Sequence, residues 1–421
     1  MTSSTTEQRG ADSSSAHDPE TAREKSTAVS LSMALGGHHN SLGFIRLVLA
    51  TAVIFDHAFP LGGFGTDPFF RITHGQASLG SVAVAGFFGI SGYLIAKSGL
   101  SADVLQFMWR RVLRIYPAYW VVLVITAFIV GPIIWAAQGD ALGEYFRFAP
   151  NGPFNYVSAN WTLNIGTYGI YDLLADSTPY GRSIHGSAFN GSIWTLIYEW
   201  RAYLLIGIFV AFGVLTKAKV IVPIVTGFLF IAQVVLIVSP QSLATISPLI
   251  NDQYAVSLTL TFMYGACLAM YSKKIPFSWS LGILSFVVLL YTLRYGGFAL
   301  IGTPAGVYFV MFLGAALPKT LHRVGMKNDY SYGVYIYGFL VQQVLAQLGV
   351  YKLGYFPYVI ASVIVSYGLA WLSWHGVEKW AMSLKNWGPG RGWRHWLDKG
   401  RDRLLARKAR VALESGDRQL T

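Results

Sequence analysis

Residues 40–60 read NSLGFIRLVLATAVIFDHAFP, and that stretch decides what kind of chain this is. It has the length and apolar character of a membrane-spanning helix, yet it carries Arg46 near one end and the pair Asp56–His57 near the other. At about 100° per residue, the eleven steps from Arg46 to His57 come to roughly 1100°, close to three full turns. Both heads therefore share one helix face, some 16 Å apart along the axis. Ionisable groups at membrane depth are costly and face a bundle interior or a wet path.

The same pattern extends outward. Of 421 residues, 53% are hydrophobic and only 12% charged, with mean hydropathy +0.45; a soluble domain carries about 25% charged residues. Apolar runs of about 20 recur along the chain, and no short alternating segments of a barrel are seen. The expected fold is all-α, a polytopic membrane protein with about ten transmembrane helices. The spans are drawn at 42–60, 80–97, 112–136, 193–214, 219–239, 250–271, 277–293, 297–317, 331–350 and 356–378.

Placing the N-terminus in the cytoplasm puts Lys97, Arg110, Arg111, Arg114, Lys217, Lys219, Lys273, Lys274, Lys319, Arg323, Lys327 and the basic tail inside. The outer loops keep Arg71, Arg147, Arg182, Arg294 and Lys352. Cytoplasmic loops collect Lys and Arg, so both termini are expected to be cytoplasmic. The net charge of +12 is explained by that bias, and nucleic acid is not expected as a partner. The lone Cys267 reads as a packing residue and says nothing about redox compartment.

Residues 1–39 are polar and of mixed charge, and are expected to be disordered without a cleavable signal peptide; His38 and His39 read as solvated. Residues 40–380 form the transmembrane domain, and 381–421 form a basic cytoplasmic tail whose Trp and Arg suit a helix on anionic headgroups. The long outer segment 137–191 mixes aromatics with Asn, Asp and Gly. That composition suits either a sugar-binding surface or an interfacial aromatic belt.

Four groups could carry chemistry. His57 can exchange a proton near neutral pH, with Asp56 beside it in sequence but about 100° away on the helix. Glu199, in SIWTLIYEWRAYLLIG, sits at a depth comparable to His57 and could form a base–orienter pair with it; pairing with Arg201 is the structural alternative. Arg111 and Arg114 are neighbours on one face at the inner end of the third span and suit phosphate, although plain inner-face anchoring also puts arginines there. Glu378, beside His375 and Lys379 at the inner end of the last span, is expected to pair with inner-end basic groups. No metal site is expected.

Taken together and in order, these segments resemble the acyltransferase-3 family of integral membrane O-acyltransferases. The resemblance is carried by LGFIRLVLATAVIFDH with Arg46 and His57, FFGISGYLI at 87–95, RRVLRIYP with Arg111 and Arg114, WTLIYEWRAY with Glu199 and Tyr203, SYGVYIYG at 331–338, and the Val377–Glu378 element. Gly338 stands where many members have histidine, and no proline follows Lys379. The extracytoplasmic SGNH domain of some members is missing, so the membrane domain is expected to act alone.

The resemblance implies transfer of an acyl group, usually acetyl, from cytoplasmic acyl-CoA (acetyl-CoA) to a hydroxyl of a carbohydrate or lipid-linked glycan acceptor, across a bacterial cytoplasmic membrane. His57, Glu199 and Asp56 would serve the chemistry, and Arg111, Arg114 and Arg46 the donor; Ser91 reads as a helix-packing residue. The rival from composition is a proton-coupled transporter or glycan flippase, since buried His, Glu and Arg also build proton relays. Inverted repeats and paired broken spans are not visible in the sequence, which weighs against it.

Overall fold

The computed structural model describes residues 29–37, 40–239, 251–387 and 398–406. Among them the chain is all-helical, with one isolated bridge between Ser30 and Pro276 and no strand. Ten long helices stand where apolar runs predict spans: α1 (Leu42–Gly62), α2 (Leu79–Gly99), α3 (Val104–Ala137), α4 (Ser192–Ala211), α5 (Ile221–Val238), α6 (Gln253–Tyr271), α7 (Trp279–Tyr295), α8 (Phe298–Ala316), α9 (Ser331–Gln347) and α10 (Tyr355–Asn386). Eight are long and apolar enough to cross a membrane. The other two, α7 and α9, have 17 residues each, about 26 Å at 1.5 Å per residue and the short end of what spans.

Local chemistry starts these helices. Asp103 accepts from the Leu105 and Gln106 amides to begin α3, Asp252 from Tyr254 and Ala255 to begin α6, and Ser78 from Ser81 to begin α2. Such caps satisfy amides that have no intrahelical partner. Because Asp103 caps so early, α3 begins eight residues before the predicted span, and Arg110, Arg111 and Arg114 lie within the helix rather than at its mouth. Both α3 and α10 continue through a π-helical turn, at Thr126–Val130 and Trp374–Glu378. The second carries α10 on to Asn386, past the expected boundary at 380.

At the centre, α2 crosses α6 at backbone contact. A Cβ on Gly92 would stand 1.8 Å from the Phe262 carbonyl oxygen, and one on Gly265 would stand 2.0 Å from that of Gly89. In lipid, where apolar surface gains nothing by leaving water, such close small-residue packing is what holds helices together. Against this pair lie α1, α4 and α8, with α9 and α10 on the far side of α1.

One sequence expectation changes here. Residues 29–37 fall in the segment assigned to disorder, yet Leu31 and Leu35 are buried and the Leu31 amide donates to Ile275 O at 2.8 Å. Two apolar anchors suffice to dock that turn; residues 1–28, with His38 and His39, lie outside the described residues. The segment 137–191, read as a sugar-binding surface or an aromatic belt, packs part of its aromatics inward, with Tyr145, Tyr156 and Phe189 buried and Asn160 accepting from the Gly166 and Thr167 amides, and leaves Phe148, Trp161 and Tyr168 exposed. Most of the tail also lies outside the described residues. Its first turns pack on α3, where Trp109 donates to Leu384 O and Arg110 to Asn386.

Candidate active site

Among the cavities lined by the described residues, three share lining residues and follow one another through the bundle, named inner to outer from the end that the charge bias assigns to the cytoplasm. An inner one of about 280 Å³ is lined by Arg46, Arg110, Arg111, Arg114, Lys327 and Asp329 among others. A narrow neck of about 50 Å³ follows, lined by Arg46, Ser91, Arg114, Glu199, Tyr203 and Tyr335. Beyond it an outer cavity of about 470 Å³ holds Asp56, His57, Trp194, Gln233, Tyr254 and Tyr335. Arg46 borders the first two, and Val84 and Tyr335 border the last two. Arg46 and His57 thus face one route at different depths, as their spacing on α1 requires.

The inner cavity is organised by a residue the sequence reading passed over. Asp329, just before α9, accepts from Arg46 at 2.5 Å and from Arg114 at 2.6 Å through the same carboxylate oxygen. Its other oxygen accepts from the Ser331 hydroxyl and amide. Burial by itself would raise this carboxyl, but the two guanidinium groups and Ser331 outweigh it and hold it at about 2, against an ordinary 3.8. Glu378 takes the remaining side of Arg114 at 3.5 Å and the Ser373 hydroxyl at 3.1 Å. Its partner is Arg114, one of the basic groups at that end with which pairing was expected; the π-helical turn rotates Glu378 inward, while His375 contacts Trp371 O.

The three arginines assigned to the donor consequently differ. Arg46 and Arg114 are bound into the Asp329 network. Arg111 makes no hydrogen bond or ion pair among the described residues; its guanidinium lies over the Phe107 and Tyr203 rings at 5.7 and 5.8 Å. It is the arginine of the RxxR pair left available to an incoming anion.

Glu199 and His57 are not brought together by a hydrogen bond. Glu199 accepts from Tyr203 at 2.5 Å and from Ser91 at 3.3 Å, in the neck. Ser91, read as packing, thus bonds a carboxylate, and Arg201 stacks on Tyr198 instead of pairing with Glu199. His57 lies in the outer cavity with the Phe339 ring edge-on at 5.4 Å and no hydrogen-bond partner among the described residues. Asp56 points away, as one helix step requires, against the Gly80 backbone, Ser78 and the Asp67 carboxylate. Gly338 faces α1, where a Cβ would already stand 3.0 Å from Ile54, so the side chain other members carry there meets a filled interface.

The match to known proteins follows the same helices. The acyltransferase domain family matches residues 39–375, from just before α1 into the π-helical turn of α10. The chain belongs to the acyltransferase-3 family. It is 30% identical over 353 residues to an O-acetyl transferase of Shigella phage Sf6, covering 81% of this chain and 95% of that protein. It is 24% identical over 376 residues to nodulation protein 10 of Rhizobium leguminosarum bv. viciae, covering 83% and 95%. No solved structure matches it. The protein is thus a multi-pass membrane O-acyltransferase of the acyltransferase-3 family.

Among the described residues no group of His, Cys, Asp and Glu is arranged to hold a metal ion. Three further side chains escaped the sequence reading. Gln342 donates to Ile54 O and Gln343 to Ala188 O, tying α9 to α1 and to the segment 137–191, and Gln233 projects from the most apolar span into the outer cavity. Polar residues inside apolar runs were the available signal for each.

Proposed function

We propose that the protein transfers an acetyl group from cytoplasmic acetyl-CoA, through the bundle, to a hydroxyl of a carbohydrate or lipid-linked glycan on the outer side of a bacterial cytoplasmic membrane. The observation that carries this reading is the run of three adjoining cavities, with arginines at one end and a cavity holding His57 at the other.

In this scheme Arg111, with Arg110 and Lys327 around the same cavity, binds the donor phosphates by charge-assisted bonds. The pantetheine arm passes the neck between Glu199, Tyr203 and Tyr335 and presents the thioester at the outer cavity. Arg46 to His57 spans some 16 Å of α1, a distance an extended arm can cover. His57 takes the proton of the acceptor hydroxyl as that oxygen attacks the thioester carbonyl. The carbon–sulfur bond breaks, the proton passes to the departing thiolate, and the products are the acyl ester and free CoA. Glu199 holds the neck in place through Tyr203 and Ser91 and adds negative charge beside the route; it does not orient His57 directly.

The test is incorporation of labelled acetyl from acetyl-CoA into surface glycan by membranes of the producing cell. His57→Ala is expected to abolish incorporation at normal protein levels. Unchanged incorporation would remove His57 from the mechanism.

A further inference from the structure

Resting on the acyl-transfer reading above, we propose that the outer cavity is the acceptor subsite, that it takes one or two uncharged sugar residues, and that it discriminates against carboxylated ones. Gln233 and the Trp194–Tyr254 wall are the groups that read the acceptor.

The first observation is Gln233. It sits in α5, the most apolar of the candidate spans, with mean hydropathy 2.7. It is 1% exposed, lines the cavity, and its carbonyl oxygen has no partner among the described residues. An unsatisfied amide at membrane depth is expensive, and α5 could carry any aliphatic side chain at that position. A hydroxyl donor entering the cavity would satisfy it.

The second is the aromatic wall opposite charge. Trp194 from α4 and Tyr254 from α6 meet edge to face at 4.8 Å, leaving ring faces of the kind that pack on the C–H face of a pyranose. At about 470 Å³ the cavity falls within the range of small-ligand sites.

The third is the sign of the charge. Neither Lys nor Arg is among the described residues lining the cavity, and residues 240–250, between α5 and α6, contain no charged residue at all. The ionisable side chains facing it are His57, the tyrosines and Asp56, whose carboxyl group lies against that of Asp67. With no counter-cation, a carboxylate on the acceptor meets like charge in a poorly screened site.

The experiment uses the full-length protein in proteoliposomes with labelled acetyl-CoA and paired p-nitrophenyl glycosides: glucoside and glucuronide, galactoside and galacturonide, mannoside and mannuronide. Each pair differs only in a hydroxymethyl or a carboxylate. At least one neutral member is expected to be acetylated, with kcat/KM about tenfold or more above its uronide. Gln233→Leu should raise KM for that neutral acceptor about tenfold while leaving KM for acetyl-CoA unchanged, and Asp56→Asn should narrow the neutral-to-uronide ratio. Equal use of the two members of a pair, no transfer to any glycoside, or an unchanged acceptor KM in Gln233→Leu each overturns this inference. The acyltransferase reading fails separately, if membranes carrying the unaltered protein transfer no labelled acetyl to the cell's own glycan.

Discussion

Replacing Asp329 by asparagine removes the carboxylate shared by two largely buried arginines while keeping the shape of the side chain. Arg46 and Arg114 are only 19% and 13% exposed at the side chain, and Asp329 is 16% exposed. Arg114 retains Glu378, but Arg46 loses its only ion-pair partner among the described residues. Breaking a buried pair from one side costs about 3–5 kcal/mol, because the surviving charge is left unpaired. The depressed carboxyl gives an independent figure: a fall from 3.8 to about 2 is worth roughly 2 kcal/mol. We therefore expect Asp329→Asn to destabilise the detergent-solubilised protein by about 2–3 kcal/mol at pH 7.

The sign of the pH dependence follows. A carboxyl whose folded value is depressed stabilises above its unfolded value and loses that contribution as pH falls. The gap between wild type and variant should thus hold from pH 7 down to about 5 and close between about 4 and 2. Thermal unfolding followed by tryptophan fluorescence measures the gap, and a double-mutant cycle with Arg46→Gln should show coupling above about 1 kcal/mol. A gap under about 0.5 kcal/mol, or one that widens below pH 4, would refute the reasoning.

Two more outcomes follow from the same geometry. Arg111→Ala should raise KM for acetyl-CoA about tenfold, one charge-assisted bond's worth, with a smaller loss of melting temperature than Arg114→Ala, because Arg111 only stacks on Phe107 and Tyr203 and makes no ion pair among the described residues, whereas Arg114 bonds Asp329 and Glu378. Gly265→Ala should cost more than about 2 kcal/mol or abolish assembly, since its Cβ would overlap the Gly89 carbonyl oxygen; normal yield and stability of that variant would mean the α2–α6 crossing is looser than described.

Much of this protein was legible without coordinates, and the reason is the bilayer. A lipid environment forces backbone polar groups into helices, so apolar run length alone located the ten long helices among the described residues, eight of them long and apolar enough to cross a membrane. It also makes buried Arg46, His57 and Glu199 conspicuous, and the motifs around them carried the family. Tertiary structure decided which of those charges face one another. Asp329 lies in a loop 283 residues from Arg46, where nothing local distinguishes it from a solvated aspartate. Glu199 and His57, matched in depth along their own helices, are held in the neck and the outer cavity because Tyr203 and Ser91 claim the carboxylate. Periodicity specifies the face a residue presents, but its partner depends on how neighbouring helices are packed and rotated. The sequence therefore determined the spans and the chemistry they could carry, while packing alone divided that chemistry between an arginine end, a narrow neck and an outer chamber.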